Sequence, residues 1–393
     1  MSTGGFGRTG NFASTHRGGV AIFDVSGFGD PAYLGTYVPP CDNPQGGCSF
    51  RIRDVEIHDG IAYFSSDRSS SLNGGVFVAD LRPDPANPTH LAHLNSPGFA
   101  GLDDVHEIAL DVVAPDDVFL YATDASNPGT TTVYDVSDPR TSIVKSADIT
   151  GAATHGVFAQ DGVMYGSGFS GVSVFDVSNV GAGTTPALGQ FNTAGGFAHS
   201  AWPDSFVDDT GQTRNVLYVA HEQGGTHLQV WDVTAVVQGA NPSGAQLIAT
   251  VTNAHLAATQ GTGPVTNVHN LFLVDDVLFT SWTAAGMVVL DVSDPRFPQV
   301  LDTFDTNSTG TQSNFNGDFG VNAAIGFDRV LIADRATGLW VVDVSHVVPA
   351  PSTGWLVVVV CWAGWGGGVG RTRTSAFPRG ADSEEVERGT TNE

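Results

Sequence analysis

Gly286-Met287-Val288-Val289-Leu290-Asp291-Val292-Ser293-Asp294-Pro295 is a short apolar run that opens on a glycine and closes on a turn-forming pair. Its pattern returns along the chain. It reads Val20-Ala21-Ile22-Phe23-Asp24-Val25-Ser26 first, then Val76-Phe77-Val78-Ala79-Asp80 and Thr132-Val133-Tyr134-Asp135-Val136-Ser137. Val172-Ser173-Val174-Phe175-Asp176-Val177-Ser178, Leu228-Gln229-Val230-Trp231-Asp232-Val233-Thr234 and Leu339-Trp340-Val341-Val342-Asp343-Val344-Ser345 complete the series. Copies recur about every 40–60 residues, the spacing of propeller blades and too long for most solenoid repeats.

The residues around the quoted stretch give the rest of the unit. Asn270-Leu271-Phe272-Leu273-Val274 reads as a strand, Asp275-Asp276 as a hairpin turn, and Val277 to Trp282 as its partner. Gln299 to Phe304 follows the Asp-Val-Ser run as a fourth strand. Asp59-Gly60 and Asp161-Gly162 mark the same hairpin in other copies, because a two-residue turn needs residues that tolerate positive φ. Four antiparallel strands repeated radially make an all-β chain and a β-propeller. Seven blades is the preferred count, with a truncated first blade, since nothing before residue 10 resembles an inner strand. Six blades, closed by swapped terminal strands, is the alternative. The propeller spans residues 1–346, and residues 347–393 form a C-terminal tail.

Composition agrees with that architecture and excludes some partners. The 49 glycines and 20 prolines among 393 residues supply turns, and 41% hydrophobic content supplies a large core. With 41 acidic against 16 basic residues, the net charge is −25, and such a surface repels nucleic-acid backbones. The acids are spread through every repeat, which reads as halophilic solubility in high salt; a cation-binding surface is the sharper reading. Cys41 and Cys48 bracket a Gly/Pro/Asn loop able to close as a local disulfide, a bond of exported proteins. The N-terminal residues lack an apolar signal-peptide region, which counts against export unless translation starts upstream.

Gly286 through Asp294-Pro295-Arg296-Phe297-Pro298 resembles the LVIVD repeat, Gly-Leu-x-Ile-Val-Asp-Val-Ser-Asp-Pro-x-x-Pro. Val268-His269-Asn270-Leu271, and Asn314-Phe315-Asn316-Gly317 ahead of Gly338-Leu339-Trp340-Val341-Val342, are similar to the related choice-of-anchor B family of surface proteins. The resemblance covers roughly residues 10–346. It implies a secreted or cell-surface propeller and supplies no activity.

Aligning the units on their inner hairpins puts Arg53, His106, His155, His199, His269 and Asn322 at equivalent positions, where each inner strand begins. Innermost strands line a propeller's channel, so these residues fall on one ring at its mouth. Imidazoles from separate blades can converge on iron, copper or zinc without any local motif. His106, His155, His199 and His269 are then the ligands, with Asp54, Asp104 and Glu107 as carboxylates that orient them. The alternative use of an imidazole there is a hydrogen bond to the backbone of a neighbouring blade. Another pair, His221-Glu222, reads as an exposed strand end.

Past His346 the apolar run from Gly354 to Trp365 is short for a spanning helix. It reads either as a membrane tether, followed by Arg371 and Arg373, or as a closing strand at Leu356–Val360 before a disordered end. Taken together, the sequence points to a non-catalytic surface propeller that binds a protein, glycan or small molecule. Its rival is a metal-dependent enzyme built on the four histidines.

Overall fold

The computed structural model describes residues 19–347 and 359–362, less 26–30, 41–50, 68–73, 96–101, 103, 115, 125–128, 154, 170, 194–195, 223–226, 253–266, 283–284, 306–317, 326–328 and 335–337. Cys41 and Cys48, the disulfide candidates, lie outside those residues. The chain is an all-β propeller of antiparallel sheets. The four-stranded sheets are meanders whose strands pair in chain order, as in Val268–Val274, Val277–Trp282, Gly286–Asp291 and Gln299–Phe304.

The blade count differs from both sequence expectations. Among the described residues five sheets are complete four-stranded blades, not seven and not six. Two further sheets carry three strands each. One is Asp318–Ile325, Arg329–Asp334 and Gly338–Asp343. The other joins Ala32–Tyr37, Val20–Asp24 and the C-terminal Val359–Trp362, the last two antiparallel with Ala21 opposite Trp362. That strand lies in the tail past residue 346, overlapping the stretch Leu356–Val360 that the closing-strand reading names. The repeat motif counts third strands, and a third strand occurs whether or not its sheet is completed; the motif therefore overcounts full blades.

Turn chemistry explains the repeated Asp-x-Ser. In Asp135-Val136-Ser137 the carboxylate Oδ1 accepts from the Ser137 amide at 3.0 Å and from its hydroxyl at 2.6 Å. Asp176 does the same for Ser178, and Asp343 for Ser345. At Asp176 and Asp343 the motif ends the strand by satisfying amide and hydroxyl donors beyond the ladder, whereas at Asp135 the strand runs on to Asp138. At the opposite hairpins Asp59-Gly60 and Asp161-Gly162 both adopt positive φ (42° and 70°, 52° and 76°), the mirror-image turn that twists with its strands.

The core lies between faces of adjacent sheets. One cluster joins Tyr63, Val76 and Val78 of one blade to Val105, Leu120 and Tyr134 of the next. Another joins Tyr218 and Val230 to Leu278, Trp282 and Leu290. Each of these large side chains is buried, which stabilises by roughly 1.5–3 kcal/mol apiece relative to exposure. First strands pack side by side in succession: Arg51–His58, Val105–Ala114, Gly156–Gln160, Ala198–Val207, Val268–Val274 and Asp318–Ile325. That row brings residues far apart in sequence to one place.

Candidate metal centre

The row of first strands carries a repeated irregularity at its start. Register shifts fall between Ile52 and Val55, Val105 and Ile108, Ala198 and Ser200, Val268 and Leu271, and Val321 and Ala323. The residues inside those shifts are Arg53-Asp54, His106-Glu107, His199, His269-Asn270 and Asn322. A β-bulge bends the strand and re-aims a side chain that the regular pleat would send elsewhere. His155 reaches the same level by standing one residue ahead of its strand, held by its amide on the Ser167 carbonyl at 2.9 Å.

The four histidines follow one another as neighbours. Ring centroids are 4.4 Å apart for His106 and His155, 4.6 Å for His155 and His199, and 3.5 Å for His199 and His269. Ligand atoms of His106, His155 and His199 lie within 4.8 Å of one another. So do those of His199, Glu222 and His269. Glu222 was the pair partner read from sequence as an exposed strand end; it is instead half-buried and faces the histidines, with Oε1 4.0 Å from His269 Nε2. Its placement depends on which strand end meets the mouth, a tertiary fact that no local motif encodes.

No hydrogen bond of normal distance and angle reaches His155 Nε2 or either ring nitrogen of His199, although the His269 backbone stands close enough to the His199 ring to favour its protonation. The blade-to-blade ties run instead through the histidines' own carbonyls. The His106 carbonyl accepts from Ser65 Oγ (2.9 Å), that of His155 from Thr123 Oγ1 (3.2 Å), that of His199 from Ser167 Oγ (2.7 Å) and that of His269 from Ser200 Oγ (2.8 Å). This leaves ring nitrogens over. His155 Nε2 and both nitrogens of His199 are buried without a hydrogen-bond partner, as is Glu107 Oε1. A buried polar atom left unpaired costs on the order of 1–3 kcal/mol, so a cluster of them calls for something that accepts their lone pairs.

Electrostatics favour a cation there. Burial, reinforced by the neighbouring imidazoles His106 and His269 and by Arg53, pushes the His155 pKa down to about 2. Burial likewise holds His199 well below the ordinary imidazole value, reinforced by the rings of His269, His155 and His106 and opposed by the His269 backbone. Both rings are neutral at pH 7, the form that ligates metal. Burial pushes Glu107 well above the usual carboxyl range, helped by the charges of Asp54 and Glu222. Glu222 is also raised, by burial, against the pull of His106 and Arg53. A cation would relieve these crowded carboxyls and be drawn by them.

The remaining sequence candidates fall into distinct places. Asp54 accepts from the amides of Val55 (2.8 Å) and Ile108 (3.1 Å), so its carboxylate ties one bulge to the next. Asp104 is half-buried two residues ahead of His106. Arg53 is engaged by Asp67, whose other oxygen lies 3.2 Å from His106 Nδ1. Burial opposes charge on Asp67, but bonds from His106 and the Arg53 charge outweigh it and hold its pKa low. Asp67 was not singled out in the sequence; its strand-final position beside Arg51 in the ladder is the only local signal. Phe197 closes the site, its ring edge-on to His155 at 4.4 Å. A cavity opens between the first strands, lined by Arg53, His106, Glu107, Trp202 and Phe272 among others.

Among the described residues no helix is long and apolar enough to cross a membrane. Neither a protein-family model nor a curated protein matches the chain. Among solved structures it is similar to Sqt1 of Saccharomyces cerevisiae, at 12% identity and a TM-score of 0.47, covering 77% of this chain and 72% of that one. It is also similar to the computationally designed Ika8 protein, at 14% identity and a TM-score of 0.45, covering 86% and 85% of the two chains.

Proposed function

We propose that this protein is a binding propeller whose ligand is a transition-metal ion, held at the mouth by His106, His155, His199 and His269. One observation carries the reading: His199 is fully buried with neither ring nitrogen hydrogen-bonded. Folded proteins pair nearly all buried polar atoms, and imidazole nitrogens are good ligands for zinc, copper and iron. Repetition accounts for histidines at equivalent positions in four successive blades but not for the bulges at His106, His199 and His269 that turn their rings toward one another. Glu107, with Oε1 3.6 Å from His199 Nε2, is the carboxylate beside the ligands. The acidic chain adds long-range attraction for cations. The LVIVD resemblance adds that the site works at the cell surface or outside it, which fractionation of expressing cells tests.

Metal analysis of the purified full chain is the deciding experiment. We expect at least one equivalent of zinc, copper or iron that survives desalting, and its loss in the double variant His155→Ala/His269→Ala. Circular dichroism of that variant shows whether the sheets remain. Wild-type protein that retains no metal, and whose melting temperature is indifferent to both chelator and added ions, overturns the reading.

A further inference from the structure

The donors at the mouth form two overlapping triads, not one set. His106, His155 and His199 share one position, and His199, His269 and Glu222 share another, with His199 common to both. We propose that the mouth holds two divalent cations bridged by the imidazole of His199, a deepening that rests on the metal-binding reading above. Two observations and one rule of imidazole chemistry carry it. His199 has 0% exposure and both of its ring nitrogens lack hydrogen bonds. A neutral imidazole has one N–H donor and one lone-pair acceptor, so a single ion satisfies only one side. The carboxylate nearest its Nε2, Glu107 Oε1, is 3.6 Å away, beyond hydrogen-bonding range.

The separations themselves fit ligation better than hydrogen bonding. Two ligand atoms with metal bonds of about 2.0–2.2 Å at tetrahedral angles stand roughly 3.4 Å apart. His269 Nε2 and Glu222 Oε1 at 4.0 Å lie near that spacing, and the ligand atoms of each triad all stand within 4.8 Å of one another. The first ion takes His106, His155 and one nitrogen of His199. The second takes the other nitrogen of His199, His269 and Glu222. When both are bound the remaining ring proton of His199 passes to solvent, leaving an imidazolate whose charge is shared by the two cations. The second position is the harder one, because it includes a carboxylate; zinc and copper(II) suit both.

Stoichiometry and magnetism test this together. The full chain is stripped with chelator, loaded with Zn²⁺ or Cu²⁺ in high salt to suppress surface binding, and desalted. Two equivalents are expected in wild type and one in Glu222→Gln. With Cu²⁺, coupling through the bridge removes most of the electron paramagnetic resonance signal of wild type, while Glu222→Gln shows one isolated copper(II) signal. One equivalent in wild type, or a count and signal unchanged by Glu222→Gln, overturns the bridge and leaves a single-ion centre standing. No retained metal in wild type overturns the centre itself.

Discussion

His199 Nε2 and Glu107 Oε1 face each other at 3.6 Å in the interior, and neither has a hydrogen-bond partner. The two residues come from different blades, each delivered by its own strand start. Replacing Glu107 with Gln removes a carboxylate whose pKa burial has raised, and the two consequences have opposite signs. Without metal, the fold favours the protonated carboxyl, so the Glu107 contribution to stability is fully present below the ordinary value of 4.5 and is lost as pH climbs from there through the raised value. Glu107→Gln is free of that loss and should melt higher than wild type when both are metal-free at neutral pH. With metal, removing the carboxylate beside the ligands should weaken affinity by about 10–100-fold. Chelator-competition titration and melts of the stripped proteins read the two effects separately. An affinity within twofold of wild type removes Glu107 from the site.

Acid should destabilise the metal-free protein through the same cluster. In the fold His155 is held near pKa 2, and its ordinary value is 6.5. Above 6.5 neither folded nor unfolded state binds that proton. Below it the unfolded chain protonates while the fold does not, so stability falls as pH drops from 6.5 toward 2. Substituting His155→Gln should flatten the decline of melting temperature between pH 6.5 and 5. Parallel slopes for the two proteins would mean that His155 is accessible and protonated in the native state.

Gly156 lets two blades meet at the site. A methyl group there would stand 2.2 Å from the His199 carbonyl oxygen and 2.4 Å from Ser167 Oγ, with Glu107 Oε2 3.0 Å away. The first obstacle is backbone and cannot rotate aside. Gly156→Ala should therefore destabilise by about 1–3 kcal/mol and displace His199, lowering metal affinity as well. Ser167→Ala removes only the bond from Oγ to that carbonyl, and about 1 kcal/mol is expected in chemical denaturation. If Gly156→Ala proves as mild as Ser167→Ala, the blades are not in fixed contact there.

The sequence made the sheets and the histidines legible for different reasons. Asp135, Asp176 and Asp343 each cap a serine two residues on, a local interaction that the repeat writes out each time. Blade closure is not local. The pairing of Val20–Asp24 with Val359–Trp362 joins opposite ends of the chain, and an apolar run offers no clue to its partner. His106, His155, His199 and His269 were found by aligning hairpins, because equivalence in the repeat becomes adjacency on the row of first strands. Glu222 and Asp67 lie outside that alignment, since Asp67 ends one second strand, Glu222 follows another, and both reach the mouth only through the packing of neighbouring blades. Asp54 was readable as an acid near the site, yet its two amide bonds are set by the shape of the bulge.

Asp111 offers a test of the blade that leaves the site alone. It lies on the strand Val105–Ala114, whose other end carries His106, and it is buried opposite Phe119. Burial pushes its pKa up to about 6 from 3.8, and the charges of Asp161 and Asp117 add to the rise. The fold thus prefers the neutral acid, and that stabilisation is lost as pH rises from 3.8 through about 6. Asp111→Asn should raise the melting temperature above pH 6, by a few degrees at pH 7.5, and the gain should vanish below pH 3.8, where both states of wild type are protonated. Metal affinity at neutral pH should be unchanged, because the substituted side chain sits five residues from His106 on a blade that stays folded. A stability gain independent of pH would show that the benefit comes from packing and not from the charge.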